Sequence, residues 1–175
     1  MRKLGLAVVL VGVVGAPAAV SAQEPARIGI TMGYPASLGI VWRVTDRVAL
    51  RPEFAFAHAS LSGIGPVSTG DSSTNVGVGA SALFYFRSTD DALRPYVTPR
   101  WSYGHTSAGN GITSDGTHSV AGSFGAEYML GKRFSVFGET GLEYSHSSAK
   151  FGVATATQGA NRIATRTGAG VVFYF

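Results

Sequence analysis

Two glutamates and two arginines near the end of the chain, Glu139, Glu143, Arg162 and Arg166, have the spacing of a paired set. Facing residues of an antiparallel ladder have residue numbers with a constant sum. Glu139 with Arg166 and Glu143 with Arg162 both sum to 305, so a single register would satisfy both pairs. The other candidates for chemistry are the histidines His58, His105, His118 and His146, the last of which is followed by Ser147 and Ser148. A histidine base beside a serine nucleophile needs an acidic partner to orient the imidazole. Residues 149–175 contain no Asp or Glu, so no catalytic residue is expected. A shared metal ion or contact with lipid phosphates is the alternative. All four histidines fall on one strand parity and would point outward around a curved wall, so convergence on one ion is not expected, and an interfacial role suits them better. With no cysteine there is no disulfide and no thiolate metal site. The glycine-rich Gly63-Ile64-Gly65-Pro66 and Gly70 have no helix behind them for a phosphate to cap. No cofactor and no metal site is expected.

The elements that must position these residues are strands. In the last stretch, Phe175, Phe173, Val171, Ala169, Thr167, Thr165 and Ile163 form one parity, and Tyr174, Val172, Gly170, Gly168, Arg166, Ala164 and Arg162 the other. A period of two makes this a strand with one apolar and one small, partly charged face. The same alternation recurs over residues 27–34, 38–44, 48–58, 74–87, 94–106, 118–129 and 134–146. Eight strands result, joined by hairpin-length connections into an antiparallel meander. Tight turns are expected after Tyr34, at Asp46, at Asp90-Asp91 and at Gly131, and longer loops over 60–73, 107–117 and 147–160. Pro52, inside the third strand, counts against closure, because proline favours sheet edges.

Across the eight strands no Asp, Glu, Lys or Arg lies on the apolar parity. Arg27, Arg43, Arg51, Glu53, Arg100, Glu127, Glu139, Glu143, Arg162 and Arg166 lie on the other, among Gly, Ala, Ser and Thr, while the aspartates are expected in turns and loops. Parity alone does not say which face is inside. Three features decide it. The polar face is too small in side-chain size for a water-facing sheet and fits the narrow interior of an eight-stranded barrel. Fourteen of the nineteen aromatic residues share the apolar face, many near strand ends, as two interfacial belts would require. Short and long connections alternate, matching short periplasmic turns and longer outer loops. The expected fold is therefore an all-β, eight-stranded antiparallel up-and-down transmembrane barrel, closed because an open edge would strand backbone groups in hydrocarbon. Its lumen would be packed with ion pairs.

The chain has 175 residues, enough for one domain that closes a small barrel. Arg2 and Lys3 precede the apolar run 4–14, and Val20-Ser21-Ala22 ends in small residues, so 1–22 reads as a cleaved signal peptide and 23–175 as the barrel. Without Arg2 and Lys3 the balance is 12 basic to 10 acidic side chains, which argues against nucleic acid.

The signal peptide, the eight amphipathic strands and terminal Phe175 together resemble the small bacterial outer-membrane barrels of the OmpA and OmpX type, over residues 26–175. That resemblance implies localisation in the outer membrane, lipopolysaccharide and other membrane lipids as neighbours, and insertion by the barrel assembly machinery through a C-terminal signal containing Phe173 and Phe175. It also implies loops at the cell surface that could meet an extracellular ligand. No peptidoglycan-binding domain follows Phe175, so the anchor of longer relatives is not expected. His146-Ser147-Ser148 is similar to the His-x-Ser element of outer-membrane lipid A deacylases, but the asparagine usual after that serine is Ala149 here. The leading expectation is a non-enzymatic structural or adhesive surface barrel. A narrow pore for small solutes is the alternative, and a deacylase using His146 and Ser148 is the least supported reading.

Overall fold

The computed structural model describes residues 27–34, 37–61, 71–88, 91–108, 113–151 and 157–175; the predicted signal peptide 1–22 lies outside them. Eight strands run β1 (Ile28–Tyr34), β2 (Ser37–Arg43), β3 (Val48–Leu61), β4 (Asp71–Tyr85), β5 (Leu93–Ala108), β6 (Thr113–Met129), β7 (Phe134–Phe151) and β8 (Thr157–Tyr174). Each pairs antiparallel with its sequence neighbour, and β1 pairs with β8 to close the barrel.

The side-chain parity decides the wall. Ile30, Leu38, Trp42, Phe54, Val78, Trp101, Phe124, Leu142, Ile163 and Phe173 are exposed on the outer face, while Val41, Arg51, Leu83, Tyr96, Ser123, Glu127, Glu139 and Val172 are buried inside. Large apolar residues on the outside and charged ones inside reverse the arrangement of a water-soluble barrel, and suit a wall solvated by acyl chains.

The register gives the barrel its dimensions. One row of facing residues runs from Asn161 through His146, His118, Tyr103, Val78, Phe54, Leu38 and Met32 to Val171, returning to β8 ten residues from its start. A stagger of ten residues over eight strands, at ~3.3 Å per residue and ~4.8 Å between strands, tilts the strands by ~41° and sets a backbone radius of ~8 Å. At that radius the interior is about as wide as its own side chains can fill.

Pro52 does not open the barrel. The β2–β3 ladder passes from Gly39↔Glu53 to Trp42↔Leu50, omitting the pairs that Pro52 and Arg51 would make, whereas the β3–β4 ladder runs unbroken through Pro52↔Ala80. Pro99 repeats the pattern, interrupting the β4–β5 ladder between Ser81↔Arg100 and Phe84↔Val97 while the β5–β6 ladder stays continuous. Each proline lacks one N–H and turns that side toward a single neighbour, so the lost bonds are confined to two short gaps.

The expected outer loops are shorter than the sequence indicated. The ladders continue to Leu61↔Asp71, Ala108↔Thr113 and Lys150↔Thr157, which makes strand of both ends of 60–73 and of most of 107–117 and 147–160. Asp71 and Asp115 accordingly lie in strands and not in loops. These extensions are rich in Ser, Thr and Gly and carry no apolar alternation. Backbone pairing beyond the acyl region needs none, because water can solvate both faces.

Candidate functional site

The lumen holds two layers of polar side chains. In the layer toward the short turns, Glu127 on β6 is the centre, with its side chain 2% exposed. It accepts hydrogen bonds from Tyr85 (2.7 Å), Tyr174 (2.7 Å) and Ser135 (2.6 Å). The guanidinium groups of Arg43 and Arg94 stand 3.6 and 3.7 Å from its oxygens. Each is also stacked on a tyrosine, Arg43 over Tyr174 at 4.1 Å and Arg94 over Tyr85 at 3.9 Å. Arg94 further donates to the Asp46 carbonyl in the β2–β3 turn, at 3.3 Å. The tyrosines so serve twice, with O–H on the carboxylate and π face on a cation.

The middle layer joins β3, β5, β7 and β8. Arg51 donates Nη2 to both oxygens of Glu139 (3.2 and 3.0 Å) and presents Nε to Glu53 at 2.7 Å. Arg100 closes on the other oxygen of Glu53. Arg166 Nη1 meets Glu139 at 2.5 Å, and Tyr96 donates to the same carboxylate at 3.2 Å.

The predicted register of β7 and β8 is off by two residues. Facing pairs sum to 307, so Glu139 faces Gly168 and Glu143 faces Ala164, while Arg166 faces Gly141 and Arg162 faces Ser145. A shift of two preserves parity, which is why alternation could not detect it. Arg166 still reaches Glu139 diagonally and lies 3.7 Å from Glu143. Glu143 and Arg162 form no ion pair with each other among the described residues, and Arg162 and Arg27, both expected in the packed core, are exposed. Arg94, Tyr85, Tyr96, Tyr174 and Ser135 were not singled out from sequence. All five share the lumen parity of their strands, and that was the signal available.

Outward of the middle layer the lumen widens into a cavity of about 180 Å³ between the Glu53–Arg100 pair, the hydroxyl residues Ser102, Thr117 and Ser119, and Gly77, Gly79 and Gly104. On the other side of that layer, among Tyr85, Tyr96, Glu127 and Tyr174, only about 10 Å³ is free, room for one water at most.

The outer wall has its own order. With a ~41° tilt each residue climbs ~2.5 Å along the axis and each step along a facing row changes height by ~3 Å. On that scale Phe56, Tyr103 and Tyr144 form an outer aromatic ring ~23 Å above Tyr128, Phe134 and Phe173, close to the ~25 Å apolar band of such barrels. His58, His105, His118 and His146 fall within ~3 Å of one level, ~5 Å beyond the outer aromatics. All four are exposed. Two of them, contrary to the expected dispersion around the wall, are direct partners: His118 on β6 faces His146 on β7. The element His146-Ser147-Ser148 lies within β7. The ring nitrogen Nδ1 of His146 is engaged by the Asn161 side chain at 2.7 Å, and no hydrogen bond joins His146 to Ser148 among the described residues. Phe173 and Phe175, the predicted insertion signal, are exposed on the outer face at the end of β8.

A family model described as the outer membrane protein beta-barrel domain matches residues 28–175. Solved structures similar to this chain include CarO of Acinetobacter baumannii, at 14% identity and TM-score 0.46 over 87% of this chain and 98% of that one. A major outer membrane protein from Thermus thermophilus aligns at 13% identity and TM-score 0.43, over 87% of this chain and 100% of that one. The N-terminal β-barrel domain of Pseudomonas aeruginosa OprF aligns at 17% identity and TM-score 0.42, over 85% of this chain and 95% of that one. No curated protein matches the sequence. With the family model spanning the whole barrel, the chain belongs to the outer membrane protein β-barrel domain family and is a protein of the bacterial outer membrane.

Proposed function

We propose that this protein is a non-enzymatic barrel with a plugged lumen, and that its role is structural or adhesive, carried by the outer ends of its hairpins. The observation that supports this is the pair of polar layers. Glu53 and Glu139 are shared among Arg51, Arg100 and Arg166, and Glu127 is held by two arginines, two tyrosines and a serine. Separating Glu127 from its arginines strands buried charge, at ~3–5 kcal/mol, and the shared carboxylates of the middle layer keep Arg51 and Arg166 paired when one contact opens, so a continuous water path does not open by thermal motion of one side chain. Lipopolysaccharide around the outer girdle, the assembly machinery acting on the strand that bears Phe173 and Phe175, and an extracellular ligand at the hairpin tips are the partners this reading proposes.

The 180 Å³ cavity favours a second reading, a narrow pore. Planar-bilayer recording separates the two. The purified barrel is expected to give no steady single-channel openings, and reproducible openings of one conductance would replace the plug with the pore.

A further inference from the structure

We propose that His118 and His146 form a binding site for a divalent transition-metal ion, such as zinc, copper or nickel, on the outer face of the barrel. The two residues are direct cross-strand partners on β6 and β7 and both are exposed on the same side of the sheet. Cβ atoms of facing residues lie ~4.5–5.5 Å apart. Two imidazoles springing from that separation can straddle one ion, each at a metal–nitrogen distance of ~2.0–2.1 Å.

The hydrogen bonds around His146 prepare one of its nitrogens. Asn161 Oδ1 accepts the Tyr144 hydroxyl at 3.1 Å and lies 2.7 Å from His146 Nδ1, and an amide oxygen can only accept. Nδ1 therefore carries the proton and Nε2 keeps its lone pair. A ligating histidine usually has its other N–H tied to an oxygen in this way, which fixes both tautomer and ring orientation. His118 rests against the Tyr103 ring, with centroids 4.7 Å apart. It leaves that contact by side-chain rotation when an ion bridges to His146.

The position and the donors also select the ligand. No group of three or more His, Cys, Asp or Glu side chains able to hold an ion occurs among the described residues, so the site offers imidazole nitrogen and no carboxylate. Such a donor set prefers zinc, copper or nickel over magnesium or calcium, which require oxygen. The remaining coordination positions stay open to water or to a phosphate oxygen of a neighbouring lipid. His105 does not complete the site, because its facing residue on β6 is Gly116 and His118 stands two residues further on. Such a diagonal leaves ~7–8 Å between the residues.

The test is a copper(II) titration of the full barrel, purified without a histidine tag and folded in detergent micelles free of phosphate, followed by electron paramagnetic resonance. One ion with two nitrogen donors is expected. His118→Gln and His146→Gln should each leave one nitrogen donor and weaken binding at least tenfold, and His105→Gln should change neither. Asn161→Leu should weaken binding about tenfold while both nitrogens remain, since it removes only the group that orients the ring. The proposal is overturned if the two-nitrogen signal survives in His118→Gln or His146→Gln, if His105→Gln abolishes it, or if the double variant binds copper as tightly as the parent chain.

Discussion

Glu127→Ala is expected to destabilise the folded barrel by ~3–5 kcal/mol, the cost of leaving buried charge without its counterion. Two guanidinium groups depend on this carboxylate, those of Arg43 and Arg94, with side chains 6% and 0% exposed. Nε of Arg43 and Nε and Nη1 of Arg94 already have no hydrogen-bond partner, and among the described residues Glu127 is the one carboxylate that either side chain meets, the Asp46 carbonyl on Arg94 and Met129 Sδ on Arg43 being neutral acceptors. The hydroxyls of Tyr85, Tyr174 and Ser135 lose their acceptor in the same step. Glu139→Ala should cost less. Arg51 keeps Glu53 and Arg166 keeps Glu143, so that layer retains a partner for each arginine. Urea unfolding of both variants in lipid vesicles, read from Trp42 and Trp101 on the lipid-facing wall, measures the difference. Equal midpoints for Glu127→Ala and the parent would show that the lower layer contributes no net stability.

Gly141→Ala carries the second large effect, through backbone approach. A Cβ at Gly141 would overlap the Gly122 carbonyl oxygen and lie 2.5 Å from Ser123 Cα and Oγ. Two of these three atoms are backbone of the facing strand, so relief requires β6 and β7 to move apart. Overpacking of this kind costs ~3 kcal/mol. The outward Gly122 and Gly138 have nothing within 4 Å of an added Cβ. Alanine at either should be neutral or stabilising by ~0.5 kcal/mol, through reduced freedom of the unfolded chain. The same urea titration distinguishes these outcomes: destabilisation at all three positions would point to a general intolerance of the wall, and at none to a bore wider than ~8 Å in backbone radius.

What could be read from the sequence followed from what a period of two can carry. The two faces of every strand follow from parity, which is written in each strand, and the lumen placement of Arg51, Glu53, Glu127 and Glu139 follows from parity together with the small size of the polar face, the aromatic belts and the alternating connection lengths. Register is not. The two-residue slip between β7 and β8 keeps Glu139, Glu143, Arg162 and Arg166 on their faces while changing which of them meet, and long flexible side chains let Arg166 reach Glu139 diagonally. Strand length was also hidden, because the outer parts of β3 to β8 contain Ser, Thr and Gly on both faces. The proline argument failed for a different reason. Pro52 and Pro99 each withhold one N–H from one neighbour, and a ladder of 14 pairs on the far side of Pro52, or 16 on that of Pro99, holds the strand in place. The partnership of His118 with His146 needed the register, which only the folded chain supplies.

The inside-out wall is tested most directly by the exposure of successive residues along β7. Because the native chain has no cysteine, single cysteines can be placed within 136–144 and spin-labelled without background. In lipid vesicles, collision with oxygen reports acyl chains and collision with a nickel chelate reports water. Labels at Val136, Gly138, Thr140, Leu142 and Tyr144 are expected to favour oxygen, and labels at Phe137 and Glu143 should be protected from it; Glu139 and Gly141 are left unsubstituted, because the first holds Arg51 and Arg166 and a side chain at the second would push β6 and β7 apart. The opposite alternation, or a barrel that stays folded and monodisperse when detergent and lipid are removed, would contradict the assignment of arginines and glutamates to the lumen.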